Sequence, residues 1–206
     1  MIALITAISI FVCIFGQSPI ENDIQMIMSI EGSVSKTEVR LLYTYAKNVK
    51  EGCIVEIGSA RGRSTAALAL GSRGGSKVPV YAIEPHEEFI GVKGGIFGPQ
   101  DRVEFFKNML RVGCVEIVRL INLRSQEVAQ GWTQSIGFLW IDGDHSFEAV
   151  KHDLEVFGAF LAPGGFVALH DSKLEGPARV IAEVIASGRY RRVRQVGQIT
   201  LLKLKQ

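Results

Sequence analysis

Residues 53–70 read CIVEIGSARGRSTAALAL, and the reading of this stretch decides the fold. Cys53 to Ile57 is a short run, apolar except for Glu56, which is the composition of a strand buried on both faces. Gly58 and Gly62 interrupt it, because glycine lets a backbone turn sharply and come close to a ligand. A helix then follows from about Ser64 to Leu70. A strand that turns through two glycines into a helix aims the helix's free N–H groups into the turn, which makes the turn a binding site.

Outward from this unit the same alternation continues. Ser35 to Asn48 opens on a capping box, Ser35-x-x-Glu38, and places Val39, Leu42, Tyr45 and Ala46 on one helical face. Val78–Ile83 reads as a second strand, with Pro79 at its start or edge. Val115–Ile121 reads as a third and Phe138–Asp142 as a fourth. Ser146 to Leu161 is helical, with Phe147, Val150, Leu154, Phe157 and Leu161 on one face. Ala162-Pro163-Gly164-Gly165 turns into a fifth strand, Phe166–Leu169. Tyr190–Val196 and Ile199–Lys205, separated by Gly197-Gln198, close the chain as an antiparallel hairpin. This order predicts an α/β fold, Rossmann-like and doubly wound, with a mostly parallel sheet between helices. In such sheets ligands bind beyond the carboxyl ends of the strands, so the residues just past each strand carry the chemistry.

Three ligand classes compete for the first turn. A P-loop needs GxxxxGK[ST], but here the glycines are one residue too close and Arg63 stands in place of the lysine. A dinucleotide fingerprint needs GxGxxG, and position 60 is alanine. The third pattern, acid-x-Gly-x-x-x-Gly with Glu56 at the strand end, is similar to the first motif of S-adenosylmethionine-dependent methyltransferases. Glu84-Pro85, at the end of the second strand, offers a carboxylate whose two oxygens can accept both hydroxyls of a ribose. After the third strand, Arg124-Ser125-Gln126 offers polar groups where an adenine edge would lie.

The densest chemistry follows the fourth and fifth strands. Asp142-Gly-Asp144-His145 crowds two carboxylates and an imidazole together, and His170-Asp171-Ser172 follows the next strand. Adjacent strand ends lie side by side, so Asp142, His170 and Asp171 can converge on one divalent cation. Carboxylates suit Mg²⁺ or Mn²⁺, and an added imidazole also admits Fe²⁺, Co²⁺ or Zn²⁺. His86 and His152 have no such company and are assigned no role.

From about Glu31 onward, the segments VEIGSARGRST, YAIEPH, FLWIDGDHSFEAVKHD and LAPGGFVALHD resemble the class I S-adenosylmethionine-dependent methyltransferases. Within that class the chain is similar to the branch of macrocin-type sugar O-methyltransferases and cephalosporin-hydroxylase-like proteins, relatives of the catechol and caffeoyl-CoA O-methyltransferases. The resemblance implies a seven-stranded sheet with a reversed last strand. It implies S-adenosylmethionine contacts at Glu56, Gly58, Gly62, Glu84 and Ser125, with Ser59, Ala60, Ser64, Pro85 and Asp142 as further candidates on the same strand ends. It also implies a divalent cation, Mg²⁺ before Mn²⁺ or another ion, at Asp142, His170 and Asp171. The last two ligand positions of that family usually read Asp-Asn, Asp-Asp or Glu-Asp, and His170 departs from the carboxylate at the first of them. His145, three residues past Asp142, stands where relatives carry a Lys or His general base, so His145 and Asp142 are the candidate catalytic residues. The implied activity is O-methylation of a small molecule or sugar. The rival readings are a non-catalytic adenosine-binding protein and a metal-dependent hydroxylase or hydrolase on the same fold. Phe89 to Gly98, rich in glycine, reads as a lid or a plain surface loop.

Composition bounds the rest. With 206 residues, 47% hydrophobic and 21% charged, the chain suits one domain with a sizeable core. A net charge of +2 excludes a strong field for nucleic acid. Cys13, Cys53 and Cys114 are scattered and lack a CxxC pair, which opposes a disulfide scaffold or zinc cluster and fits a reducing, cytoplasmic location. Residues 1–16, MIALITAISIFVCIFG, carry no charge and are shorter than the roughly twenty residues of a membrane span. They also lack a signal peptide's basic start and cleavage site. Residues 1–30 are therefore set apart as an apolar extension, an interface helix or weak membrane anchor, from a methyltransferase domain over 31–206. The expected partners are a hydroxyl-bearing small molecule, further copies of the chain in a homo-oligomer, and a membrane surface through residues 1–16.

Overall fold

The computed structural model describes residues 18–91 and 94–205. In chain order the elements are α1 (Pro19–Met28), α2 (Lys36–Asn48), β1 (Cys53–Ile57), α3 (Arg63–Arg73), β2 (Val80–Ile83), β3 (Phe89–Ile90), β4 (Ile96–Phe97), α4 (Pro99–Arg111), β5 (Val118–Ile121), α5 (Ser125–Ala129), β6 (Ile136–Ile141), α6 (Phe147–Gly158), β7 (Leu161–Leu169), α7 (Glu175–Ala186), β8 (Tyr190–Val196) and β9 (Ile199–Leu204).

Seven strands form one sheet in the order β5-β2-β1-β6-β7-β9-β8. The first five are parallel, and β9 runs antiparallel to both β7 and β8. Side chains alternate across each strand, so one strand feeds two cores. Ile54, Val80, Phe138, Trp140 and Leu201 pack under α1 to α4, while Val55, Leu139, Ile141, Val167 and Leu202 pack under α6 and α7. Strand order reverses at β1, between β2 and β6, and the crevice at that switch point is where the candidate residues gather.

The expected alternation holds, with shifts that have local causes. Residues 115–117 form a turn closed by the Ile117 amide on the Cys114 carbonyl, so β5 begins at Val118. Ala162-Pro163-Gly164-Gly165, expected as a turn before the fifth strand, lies inside β7; the irregularity is absorbed by a register shift against β6 between Ile136 and Phe138. Two helices, α4 and α7, have no counterpart among the sequence expectations. The start of α4 is legible in retrospect: Pro99 sits in its first turn, and Asp101 reaches back 2.8 Å to the Gly98 amide.

The expected boundary at residue 31 falls inside the packed unit. Ile24, Ile27 and Ile30 are all buried in the α1–α4 core, and Arg63 holds the Ile30 and Val34 carbonyls at 2.7 and 2.9 Å. The described part of the 1–30 segment shares this core, with α1 packed against α2 and α3. Residues 1–16, and Cys13 with them, lie outside the described residues. Among those described, no helix is long and apolar enough to cross a membrane.

Candidate active site

A cavity of about 610 Å³ opens at the carboxyl ends of β1, β2, β5, β6 and β7. Its wall includes Gly58, Ser59, Ala60, Ser64, Glu84, Pro85, Ser125, Asp142, His145 and Asp171. The fold therefore brings together most of the residues singled out above, from five separate strand ends. Glu56, Gly62 and His170 stand behind the wall.

Gly58 must be glycine. Its φ is +86°, and a Cβ would sit 2.3 Å from the Asp142 carbonyl oxygen, so the turn lies directly on the end of β6. The turn is then clamped by Glu84. Its Oε2 accepts the Ser59 and Ala60 amides at 3.1 Å each, and its Oε1 accepts the His86 amide at 3.1 Å. A carboxylate has about four acceptor sites, so Oε1 is the freer oxygen for a ligand hydroxyl. His86 locks the same turn from the other side: its Nε2 donates to the Ala60 carbonyl at 2.9 Å, and Asn122 Nδ2 stands 3.4 Å from its Nδ1. Asn122 also holds the Glu84 and Pro85 carbonyls at 2.8 and 2.7 Å. Ala60, His86 and Asp171 all adopt left-handed backbone, with φ of 43°, 51° and 44°. Such conformations persist only where surrounding contacts enforce them.

Glu56 lies beneath the turn, fully buried, and accepts the Thr65 hydroxyl at 2.5 Å. Burial pushes its carboxyl up to about 8, against the lowering effect of the Ser64 and Thr65 hydroxyls. It ties β1 to α3 rather than facing the cavity. Asp153 on α6 does reach the cavity wall, beside Ser125. It is buried, its Oδ1 has no hydrogen-bond partner, and burial pushes its carboxyl up to about 6. No spacing in the sequence marks it, since α5 and α6 meet only in the folded chain.

At the β6 and β7 ends, four side chains crowd together. His170 Nδ1 is 3.0 Å from Asp142 Oδ1, and His145 Nε2 is 3.6 Å from the same oxygen. Asp171 Oδ2 lies 3.3 Å from His145 Nε2 and 3.8 Å from His170 Nδ1. Donor atoms of Asp142, His145 and His170 all fall within 4.8 Å of one another. The compact donor set therefore includes His145, the residue expected to be the general base. Burial would raise the Asp142 carboxyl, but the two imidazoles facing it hold it below its usual range. For His170, burial opposes the charged form, yet the carboxylates of Asp142, Asp171 and Glu38 raise its pKa.

The segment expected as a lid is a two-stranded hairpin, β3 with β4. Phe89 and Phe97 line the cavity, whereas Ile90 and Ile96 are exposed on the other side. Of the cavity's arginines, Arg61 pairs with Asp101 at 2.6 Å and with Glu31, Arg63 with backbone carbonyls, and Arg124 with Glu87 at 2.9 Å.

The family described as "Methyltransferase domain" matches residues 55–172, the span from β1 to just past β7. Among solved structures, an O-methyltransferase from Bacillus cereus in complex with SAH superposes with a TM-score of 0.68 at 18% identity, covering 95% of this chain and 94% of that one. An SAH-bound methyltransferase from Podospora anserina reaches 0.70 at 12% identity, covering 92% and 89%. TomG from Streptomyces achromogenes, an O-methyltransferase of tomaymycin synthesis in complex with SAM, reaches 0.65 at 14%, covering 95% and 93%. At these identities the likeness establishes the fold, over nearly the whole of each chain.

Proposed function

Because the chain belongs to the methyltransferase domain family, through residues 55–172, we propose that it transfers the methyl group of S-adenosylmethionine to a hydroxyl oxygen of a small molecule. The observation that carries this reading is the layout of one cavity around β1. The glycine turn and Glu84 stand on its β2 side, and Asp142, His145 and Asp171 on its β6 and β7 side. The structural relatives that hold SAH or SAM support the same donor here.

Methyl transfer to oxygen is an in-line displacement, so the protein must align donor and acceptor and remove the hydroxyl proton. Glu84 Oε1 accepts a ribose hydroxyl, and Ser125 and Asp153 meet the base beyond it. Phe89 and Phe97 on the hairpin close over the acceptor and exclude water. His145 Nε2 takes the proton, and Asp171, 3.3 Å away, steadies the imidazolium that results.

A second reading of the same atoms is favoured by one observation: His145 Nε2 and both nitrogens of His170 are buried without an aligned hydrogen-bond partner. Orphaned imidazole nitrogens facing a carboxylate fit a divalent cation, held by Asp142 with His145 and His170. Such an ion supplies a charge that lowers the hydroxyl's pKa and fixes its orientation. A ligated His145 is no longer a base, so the two roles of this residue exclude each other.

Calorimetry tests the donor assignment. The protein should bind SAH far more tightly than NAD or ATP, and comparable binding of all three would reject it. His145→Gln should keep SAH affinity and lose roughly 100-fold in turnover in either role. Unchanged turnover would leave His145 as no more than a loop residue before α6.

A further inference from the structure

A row of ionisable side chains runs from the back of the sheet to the cavity: Glu38, His170, Asp142, His145. They come from α2, the end of β7, the end of β6 and the loop after it. Glu38 is buried and fixed by bonds that owe nothing to a ligand. Its Oε2 accepts the Ser35 amide at 2.7 Å and the Ser35 hydroxyl at 2.6 Å, and its Oε1 accepts the Gln198 amide at 2.6 Å. The β8–β9 turn closes directly on it, since a Cβ on Gly197 would meet Glu38 Oε1 at 2.4 Å. That oxygen stands 3.8 Å from His170 Nε2, while the Trp140 ring packs on the imidazole at 5.5 Å.

From this arrangement, and taking the second of the two exclusive roles of His145, that of ligand in place of base, we propose that Asp142, His145 and His170 form a two-histidine, one-carboxylate site for a late first-row divalent ion of the Fe²⁺, Co²⁺ or Zn²⁺ class, in preference to Mg²⁺, with Glu38 as a positioning residue behind His170. Glu38 places a fixed negative charge beside His170 Nε2. With an ion taking the Nδ1 lone pair on the Asp142 side, where Nδ1 stands 3.0 Å from Asp142 Oδ1, the ring's remaining proton sits on Nε2, the nitrogen beside Glu38. His145 Nε2 and Asp142 Oδ1 complete a group whose members lie within 4.8 Å of one another. Two of the three donors are imidazole nitrogens. Mg²⁺ takes oxygen ligands and keeps its waters, whereas nitrogen donors suit iron, cobalt and zinc. The resemblance to oxygen-ligated relatives therefore misleads at this position, and the departure at His170 is what redirects the site. A plain hydrogen-bonded cluster fits less well. His170 is only 2% exposed, and neither of its nitrogens makes an aligned bond.

The inference rests on the methyltransferase reading only for the use the ion would have; binding is measured without turnover. Chelator-treated full-length protein is titrated calorimetrically with Co²⁺, Zn²⁺ and Mg²⁺, and the Co²⁺ form is examined by visible absorption. One Co²⁺ or Zn²⁺ per chain should bind roughly 100-fold more tightly than Mg²⁺, with cobalt bands shifted from those of the aqueous ion. His170→Asp restores an oxygen ligand and should narrow that ratio at least tenfold, by about the factor a changed ligand type commands. Glu38→Gln should weaken Co²⁺ binding about tenfold or more, the usual scale for an outer partner of a metal-bound histidine. If Glu38→Gln fails to fold by circular dichroism, His170→Asp carries the test alone. Equal affinity for Mg²⁺ and Co²⁺, no ion bound at all, or an unchanged ratio in folded His170→Asp would overturn the proposal. Tight Co²⁺ binding by a protein that does not bind SAH would remove the methyltransferase reading and leave the ion site standing.

Discussion

At the scale of single residues, two carboxylates near the same turn have opposite fates. Glu84 is partly exposed, carries three backbone amides and faces the cavity. Glu56 is sealed beneath the turn, and its carboxyl is pushed up to about 8 by burial. This has a consequence for stability. Between the ordinary value near 4.5 and about 8, folded Glu56 keeps a proton that the unfolded chain has released. Stability contributed at this site is therefore greatest at low pH, declines as pH rises through that window, and levels off above it. Asp153, raised to about 6, adds a smaller slope of the same sign. Glu56→Gln keeps an acceptor for Thr65 and removes the proton, so it should gain stability relative to wild type as pH rises. The gain at pH 8.5 over pH 5 should be on the order of 2 to 5 kcal/mol, one unit being about 1.4 kcal/mol. Thermal unfolding of both proteins across that range measures it, and parallel pH profiles would show that Glu56 titrates normally.

At the scale of elements, the active-site loops are set by how closely neighbouring backbones approach. Gly176, in the first turn of α7, lies against the His145 loop so tightly that a Cβ would sit 2.2 Å from the His145 carbonyl oxygen. Alanine is intrinsically the better helix residue by about 1 kcal/mol, so propensity alone predicts that Gly176→Ala stabilises. The contact predicts the opposite, a loss of about 1 to 3 kcal/mol from overpacking, with displacement of His145. Gly131 is the control, since a Cβ there meets nothing within 4 Å. Urea unfolding should show Gly176→Ala destabilised and Gly131→Ala near wild type. A stabilised Gly176→Ala would mean that α7 can slide away from the loop freely.

At the scale of the whole molecule, the layer of helices α1 to α4 locks the cofactor side of the sheet in place. Residues far apart in sequence hold it: Arg61 spans to Asp101 at 2.6 Å and to Glu31, Asn108 accepts Arg111 and donates to the Arg61 carbonyl, and Arg63 grips the Ile30 and Val34 carbonyls. α1 is thus part of the foundation beneath the glycine turn. Ile27 is fully buried there, whereas Met26 beside it is exposed. Ile27→Ala should cost about 2 to 5 kcal/mol, while Met26→Ala should stay within about 0.5 kcal/mol of wild type. Denaturant midpoints of the two variants decide the point. Equal, small effects would show α1 to be a detachable extension after all.

The local signals in the sequence were enough for the architecture. Period, caps and glycine turns are short-range features, and they placed β1, β2, β6, the end of β7 and the β8–β9 hairpin, along with the strand-end positions of Glu84, Asp142, His145, His170 and Asp171. Parallel strands pair in the order their crossovers allow, so the meeting of the β6 and β7 ends was legible too. What the sequence could not carry is which side chains meet across those ends. Whether Glu56 faces a ligand or lies sealed under α3 depends on the twist of one turn against β6. His86 gained its role only because Asn122, on another strand end, reaches it. Glu38 is distant in sequence from both His170 and Gln198, and nothing in its own neighbourhood beyond a capping box marks it. Such contacts are set by packing between elements, at separations where the chain has no periodic signal. The sequence by itself determined the fold class and the shoreline of the site. The tertiary structure alone decided that His145 joins His170 beside Asp142, because that meeting depends on how the loop after β6 packs.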